Sequence, residues 1–194
     1  MAEKTVSRSF RISESAFLAL EEEAKKHNIS LNTLVNQLFL SYANYDRYFQ
    51  KLGMLKMSKP AFKKILSTAP EKDIIETARE VAQNSARVII LARYGSMSLT
   101  GVLDYLRTLA DFGNFFEYNE TPPSEGKHII TLIHSLGNRF SVYLRAFMKS
   151  LFEQIDLVPK LVTTEDSITI EIYSYPRFVF KVLTSLISCE FCQL

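Results

Sequence analysis

Cysteine is nearly absent from this 194-residue chain: two occur, Cys189 and Cys192, both at its C-terminal end. A disulfide-framed secreted domain is thereby excluded, and a reducing cytoplasm is the expected location. Long apolar runs are missing too. No uncharged stretch reaches the roughly 18–20 residues of a membrane span. The N-terminal MAEKTVSRSF has no apolar core behind its charges, so a secretory signal is not expected either. There is no internal repeat and no low-complexity tract. No Gly-rich phosphate loop, ordered Ser/His/Asp set or pair of carboxylates stands out, so neither an enzyme nor a cofactor is expected. Net charge is small as well: 23 Lys+Arg against 21 Asp+Glu leave +2. As a whole-chain average, that argues against a nucleic-acid binder, which is usually visibly basic.

What is present describes a globular chain. Hydrophobic residues make up 47% and aromatics 12%, too apolar for disorder. Residues 5–12 read as a short strand. Val6, Arg8, Phe10 and Ile12 share one face, apolar apart from Arg8, and Thr5, Ser7, Ser9 and Arg11 share the other. Ser13 suits an N-cap, with Glu14 in the first turn of a helix over 14–27 that aligns Phe17, Leu20 and Ala24. Asn28 and Ile29 break that helix. Ser30 then caps a second one over 31–48, with Leu31, Leu34, Val35, Leu38, Phe39 and Tyr42 on one face. One strand and two amphipathic helices have too little interior to bury these side chains, and a lone strand has unpaired edges. Pairing with the same strand of a second chain solves both problems, so an obligate homodimer is expected.

The run SRSFRISESAFLALEEEAKKHNISLNTLVNQLFLSYANYD resembles a ribbon-helix-helix domain of the MetJ/Arc/CopG class. The resemblance rests on the strand ending Phe-Arg-Ile-Ser, the Asn28-Ile29-Ser30 turn and the Leu-rich second helix, and covers about the first 45 residues. It implies a two-stranded antiparallel ribbon, one strand per chain, in the major groove of double-stranded DNA. By position, Ser7, Ser9 and Arg11 would face base edges. Ser30, Leu31 and Asn32, at the start of the second helix, would anchor a phosphate. The class usually has an apolar residue where this chain has Arg8, so Arg8 is expected to reach a phosphate together with Lys4.

Local charge revises the whole-chain average. Residues 1–47 hold six basic and six acidic side chains, yet Lys4, Arg8 and Arg11 stand in the ribbon segment with no acid among them. Neutrality therefore does not exclude DNA, and the leading function is a dimeric, sequence-specific transcriptional regulator. Two alternatives stay open: an antitoxin-type protein that binds a partner protein, and an oligomerisation or small-molecule-binding protein that does not touch DNA.

The remainder predicts an α+β architecture, helices packed on a small antiparallel sheet. The domains are then 1–48, a connector over 49–58 that breaks at Gly53, and a sensor or oligomerisation domain over 59–194 with an effector of unknown identity. A short helix starts at Ser58-Lys59-Pro60. Thr68-Ala69-Pro70-Glu71 fits a capping box ahead of a helix over 71–93, which Gly95 stops. Ser98 caps a helix over 99–112. Strands are expected over 114–119, 128–134, 160–164 and 167–173, with a loop over 121–126, a helix over 137–155 and a hairpin turn at Glu165-Asp166. This part resembles the C-terminal domains attached to ribbon-helix-helix modules in archaeal regulators, most of all in His134-Ser135-Leu136-Gly137-Asn138-Arg139-Phe140-Ser141.

Candidate chemistry there is sparse. His128 and His134 lie on one strand face but about 20 Å apart at ~3.3 Å per residue, too far to share a metal. His134 and Arg139, with Ser135 and Asn138 nearby, fit an anion site at a helix start; the commoner alternative is that His134 and Ser135 simply cap the helix. Cys189 and Cys192 have half the spacing of a zinc site, with no second pair. Phe112, Phe115, Phe116 and Tyr118 fit a pocket lining or, more commonly, a core. The apolar tail over 176–194 fits a last core helix or a contact between chains.

Overall fold

In a computed structural model the chain divides into two compact units, Met1–Lys51 and Leu52–Leu194, and residues 5–124 and 126–173 are described. Lys4, Cys189, Cys192 and the tail over 176–194 lie outside those residues.

In the first unit, α1 (Glu14–Lys26) and α2 (Leu31–Ser41) start at serine caps. Ser13 Oγ accepts from the Ala16 N–H at 3.3 Å, and Ser30 Oγ accepts from the Thr33 N–H at 3.0 Å. Between the helices Asn28 takes the left-handed conformation (φ 52°), which asparagine tolerates better than most residues, and the Ile29 N–H closes back on the Ala24 carbonyl at 3.0 Å. After α2 the chain widens into a π turn (Tyr42–Asp46), tightens into α3 (Arg47–Phe49) and ends in a 3₁₀ turn, Gln50–Leu52. Ser41 Oγ donates to Asp46 Oδ2 at 3.0 Å, a five-residue span that matches the wider turn.

The second unit is α+β. Among the described residues five helices, α4 (Lys59–Thr68), α5 (Glu71–Val81), α6 (Arg87–Tyr94), α7 (Leu99–Asp111) and α8 (Asn138–Glu153), accompany a four-stranded antiparallel sheet. The strands β1 (Glu117–Ser124), β2 (Lys127–Ile133), β3 (Lys160–Thr163) and β4 (Ser167–Tyr173) lie in the order β1-β2-β4-β3. Along β2 and β4 burial alternates: Ile130, Leu132, Ile168, Ile170 and Ile172 are buried, while Ile129, Thr131, Thr169 and Glu171 are less so. Period-two alternation means one sheet face supplies the core. The core is completed by Phe140, Leu144, Phe147, Met148, Leu151 and Phe152 of α8 and by Val102, Leu106 and Leu109 of α7. Ala78, Ala82 and Ala86 are fully buried, small side chains spaced four apart on the long α5–α6 segment.

Several expectations are corrected. The single helix over 71–93 is interrupted by a π turn at Ala82–Ala86. The capping box does not form, because Thr68 still belongs to the last turn of α4, where its Oγ1 donates to the Ile65 carbonyl at 2.8 Å; the N-cap of α5 is Pro70. The first strand is displaced from 114–119 to Glu117–Ser124, since Asn114 turns the chain with a left-handed φ of 52°. The loop over 121–126 is therefore largely strand. Pro122 and Pro123 fit there because β1 is an edge among the described strands, where an outward missing N–H breaks no ladder, and because both fall where the register with β2 shifts, between Thr121 and Ser124. Gly95 (φ 72°) ends α6 as expected, and Ser98 caps α7.

Candidate nucleic-acid interface

The segment expected as a ribbon strand is not a strand in the single chain: residues 5–13 have no regular secondary structure and all are exposed. The physical reason is that strand structure is defined by pairing, and among the described residues of this unit no strand offers an edge. Apolar side chains of its inward set are left bare, with Val6 and Phe10 each 69% exposed and Ile12 54%. Phe10 does meet α2, its ring edge-on to Phe39 at 5.8 Å. Leu38 and Phe39 are themselves about half exposed, and across described positions of this unit only Ala24 and Phe49 are buried hydrophobics. Its hydrophobic surface thus greatly exceeds its core.

Of the residues expected to read bases, Ser7, Ser9 and Arg11 are exposed. Arg8 is exposed as well, its guanidinium turned back to the Ser7 carbonyl at 3.1 Å. At the start of α2, Ser30 and Asn32 are exposed and Leu31 is half-buried. Ser30 Oγ takes the Thr33 N–H and lies 2.8 Å from Thr33 Oγ1, while the Leu34 N–H bonds the Ser30 carbonyl at 3.0 Å. The Leu31 and Asn32 N–H groups precede the first helical carbonyl they could use and point out of the helix end. Three of the four acids of α1 have local partners: Lys25 to Glu21 at 3.3 Å, Lys26 to Glu22 at 2.8 Å and the C-cap His27 to Glu23 at 3.0 Å. Lys26 beside it lowers the Glu22 pKa.

The second unit gathers two polar clusters that periodicity does not reveal. In the first, His134 Nε2 lies 3.0 Å from Ser141 Oγ, and His134 Nδ1 lies 3.7 Å from Asp166 Oδ1. The order of contacts is that of a nucleophile, base and acid, but the protons run otherwise. Ser141 Oγ donates to the Glu165 carbonyl at 3.0 Å, so it accepts from His134 Nε2–H, and His134 Nδ1 accepts from the Leu136 N–H at 3.3 Å. Ser141 is 1% exposed. Burial lowers the His134 pKa, partly offset by Asp166 and reinforced by Lys59 and Lys63, so the neutral ring that these bonds require is favoured.

Neither His134 nor Ser135 caps α8. Its N-cap is Gly137, at a φ of 77° that suits glycine, with no side-chain cap bond. The Gly137 N–H donates to Asp166 Oδ1 at 2.9 Å, so the chain's own carboxylate occupies the place of the anion that is the alternative to a cap. Sequence spacing could not bring together residues 32 positions apart; the only signal was a serine on the buried face of the first α8 turn.

In the second cluster, Glu120 of β1 accepts from Arg107 of α7, from Tyr118 Oη at 3.0 Å and, at 2.5 Å, pairs with His128 Nε2. Burial alone would raise the Glu120 pKa, but these hydrogen bonds outweigh it and leave it lowered. The histidines thus serve separate clusters, and no group of three or more His, Cys, Asp and Glu able to hold a metal ion occurs among the described residues. Of the aromatics considered for a pocket, Phe116 is buried and Phe112, Phe115 and Tyr118 are half-buried. Two open grooves, one along Glu71–Ile75–Arg79 and one beside Lys149, Leu157 and Pro159, include none of them. Compared with models of protein families and with curated proteins, the chain matches none.

Proposed function

We propose that the chain is a sequence-specific DNA-binding regulator that acts as a homodimer through residues 5–12. Two copies of this segment pair as an antiparallel ribbon, with Val6, Phe10 and Ile12 turned onto the second helices and Ser7, Ser9 and Arg11 turned to the major groove. Arg11 bridges guanine, the serines act as adaptable donors or acceptors, and Lys4, Arg8 and the Ser30–Leu31–Asn32 helix start hold phosphates.

The observation that supports this reading is the first unit's incomplete interior. Val6, Phe10, Ile12, Leu38 and Phe39 are exposed together, next to a segment without a pairing partner. A second copy supplies both the missing edge and the missing core.

Selection of duplexes from a random pool by the full chain tests it. The expected result is a palindromic site, because two-fold protein symmetry is mirrored in half-sites. Arg11→Ala should then lower affinity for that site by ~1–3 kcal/mol and relax one position of it. An unenriched pool, or undiminished discrimination by the variant, rejects the ribbon. The bare apolar surface also fits association without DNA, the reading that an unenriched pool from a proven dimer would leave standing.

A further inference from the structure

Positive charge in this chain is concentrated where no expectation placed it. From residue 47 to residue 70 there are six basic side chains and no acid, whereas the rest of the chain holds 17 basic against 21 acidic. Four of the six, Lys56, Lys59, Lys63 and Lys64, lie in the second unit at the entry to α4 and along it. Lys56, Lys63 and Lys64 are exposed and Lys59 is half-buried.

Their arrangement works against the helix that carries them. Lys59 occupies the first turn of α4, the end whose dipole repels cations, and that turn has no acidic residue. Lys59 and Lys63 repeat at i, i+4, where like charges oppose each other. The Asp166 carboxylate, which accepts the Gly137 N–H at 2.9 Å, acts on His134 against Lys59 and Lys63 and is one negative charge beside the group. An anion from outside would relieve this repulsion.

We infer that Lys56, Lys59, Lys63 and Lys64 form a phosphate-backbone contact surface of the second unit for duplex DNA, independent of base sequence. The inference rests on the DNA-binding reading above. Lysines suit it as flexible point charges that follow a phosphate row without fixed geometry. A duplex is chosen over an anionic membrane because the inference follows the DNA-binding reading and part of the apolar stripe of α4 is spent internally: Leu66 is buried and the Phe62 ring packs edge-on to Phe140 at 6.0 Å, while Ile65 stays exposed and makes the membrane the competing outcome of the test. A membrane-lying helix keeps that stripe outside.

The test compares the full-length chain with K56Q/K64Q and with the fourfold K56Q/K59Q/K63Q/K64Q variant, each verified as folded by its thermal transition. Binding to a random-sequence duplex is measured across salt concentrations. The slope of log K against log salt should flatten by about 0.9 per lysine that contacts phosphate, a loss on the order of tens-fold in affinity near 0.1 M salt for the double variant. An unchanged slope overturns the inference, and Arg11→Ala still weakening the selected site then shows that the ribbon reading survives it. A flattened slope with an ineffective Arg11→Ala sustains the lysine surface and rejects the ribbon. Lysine-dependent capture by phosphatidylserine vesicles with no duplex binding overturns the inference in favour of a membrane.

Discussion

At the scale of single residues, hydrogen-bond direction decides what a cluster can do. Ser141, His134 and Asp166 have the contacts of a hydrolytic set, yet the serine proton is committed to the Glu165 carbonyl and the imidazole receives the Leu136 N–H. The group ties the β3–β4 turn to the start of α8. Ser141→Ala leaves His134 Nε2–H and the Glu165 carbonyl without a partner in a buried site, so it should cost about 1–3 kcal/mol in denaturant unfolding. A substitution without effect on unfolding would contradict that buttressing role. Glu171 is a second case. Hydrogen bonds from Tyr173 and Lys127 and the charges of Lys127 and Lys160 lower its pKa to about 2 against an ordinary 4.5. A carboxylate depressed on folding stabilises above its unfolded pKa and loses that contribution as pH falls toward the folded value. The thermal midpoint should therefore drop between pH 4.5 and about 2, and Glu171→Gln should make that drop shallower.

At the scale of elements, the helix starts were the most legible part of the sequence. Ser13, Ser30, Ser58 and Ser98 each accept from a backbone N–H three positions on, because a cap is a local device that needs no tertiary partner. Thr68 misled for the same local reason, its hydroxyl being absorbed by the preceding turn. Pro122 and Pro123 read as a loop because nothing in their sequence reveals that β1 is an edge. The π turns were invisible, since one wide turn preserves most of the helical period. The turn at Ala82–Ala86 is held from another helix: Gln154 Nε2 donates to the Ala82 carbonyl at 3.0 Å and to the Ser150 carbonyl at 3.2 Å. Gln154→Leu should destabilise by about 1–3 kcal/mol and speed amide exchange across residues 82–87. Unaltered exchange there would show that the turn holds itself.

For the whole molecule, the question is how many chains make the folded unit. The first unit was readable both as an apolar stripe and as too small to bury it, because the size of an interior follows from the number of elements around it. What the sequence did not show is how bare Val6, Phe10 and Phe39 are left in the single chain. The proposed dimer predicts a sedimenting mass twice the 22.2 kDa of the chain and a thermal midpoint that rises with protein concentration. Phe39→Asp, on the α2 face that meets Phe10, should shift the equilibrium to monomer. A wild-type monomer at micromolar concentration would exclude the ribbon.

The prolines of β1 bear on what happens when many such molecules crowd together. An open sheet has two borders, and each unpaired N–H along a border is an invitation to a neighbouring strand. Among the described strands one border is β3, only four residues long, and the other carries Pro122 and Pro123, one of which takes the place of an outward N–H. Growth by strand addition is thus discouraged at both ends, and replacing Pro122 and Pro123 with strand-forming residues would turn the longer border into a seed for fibrils.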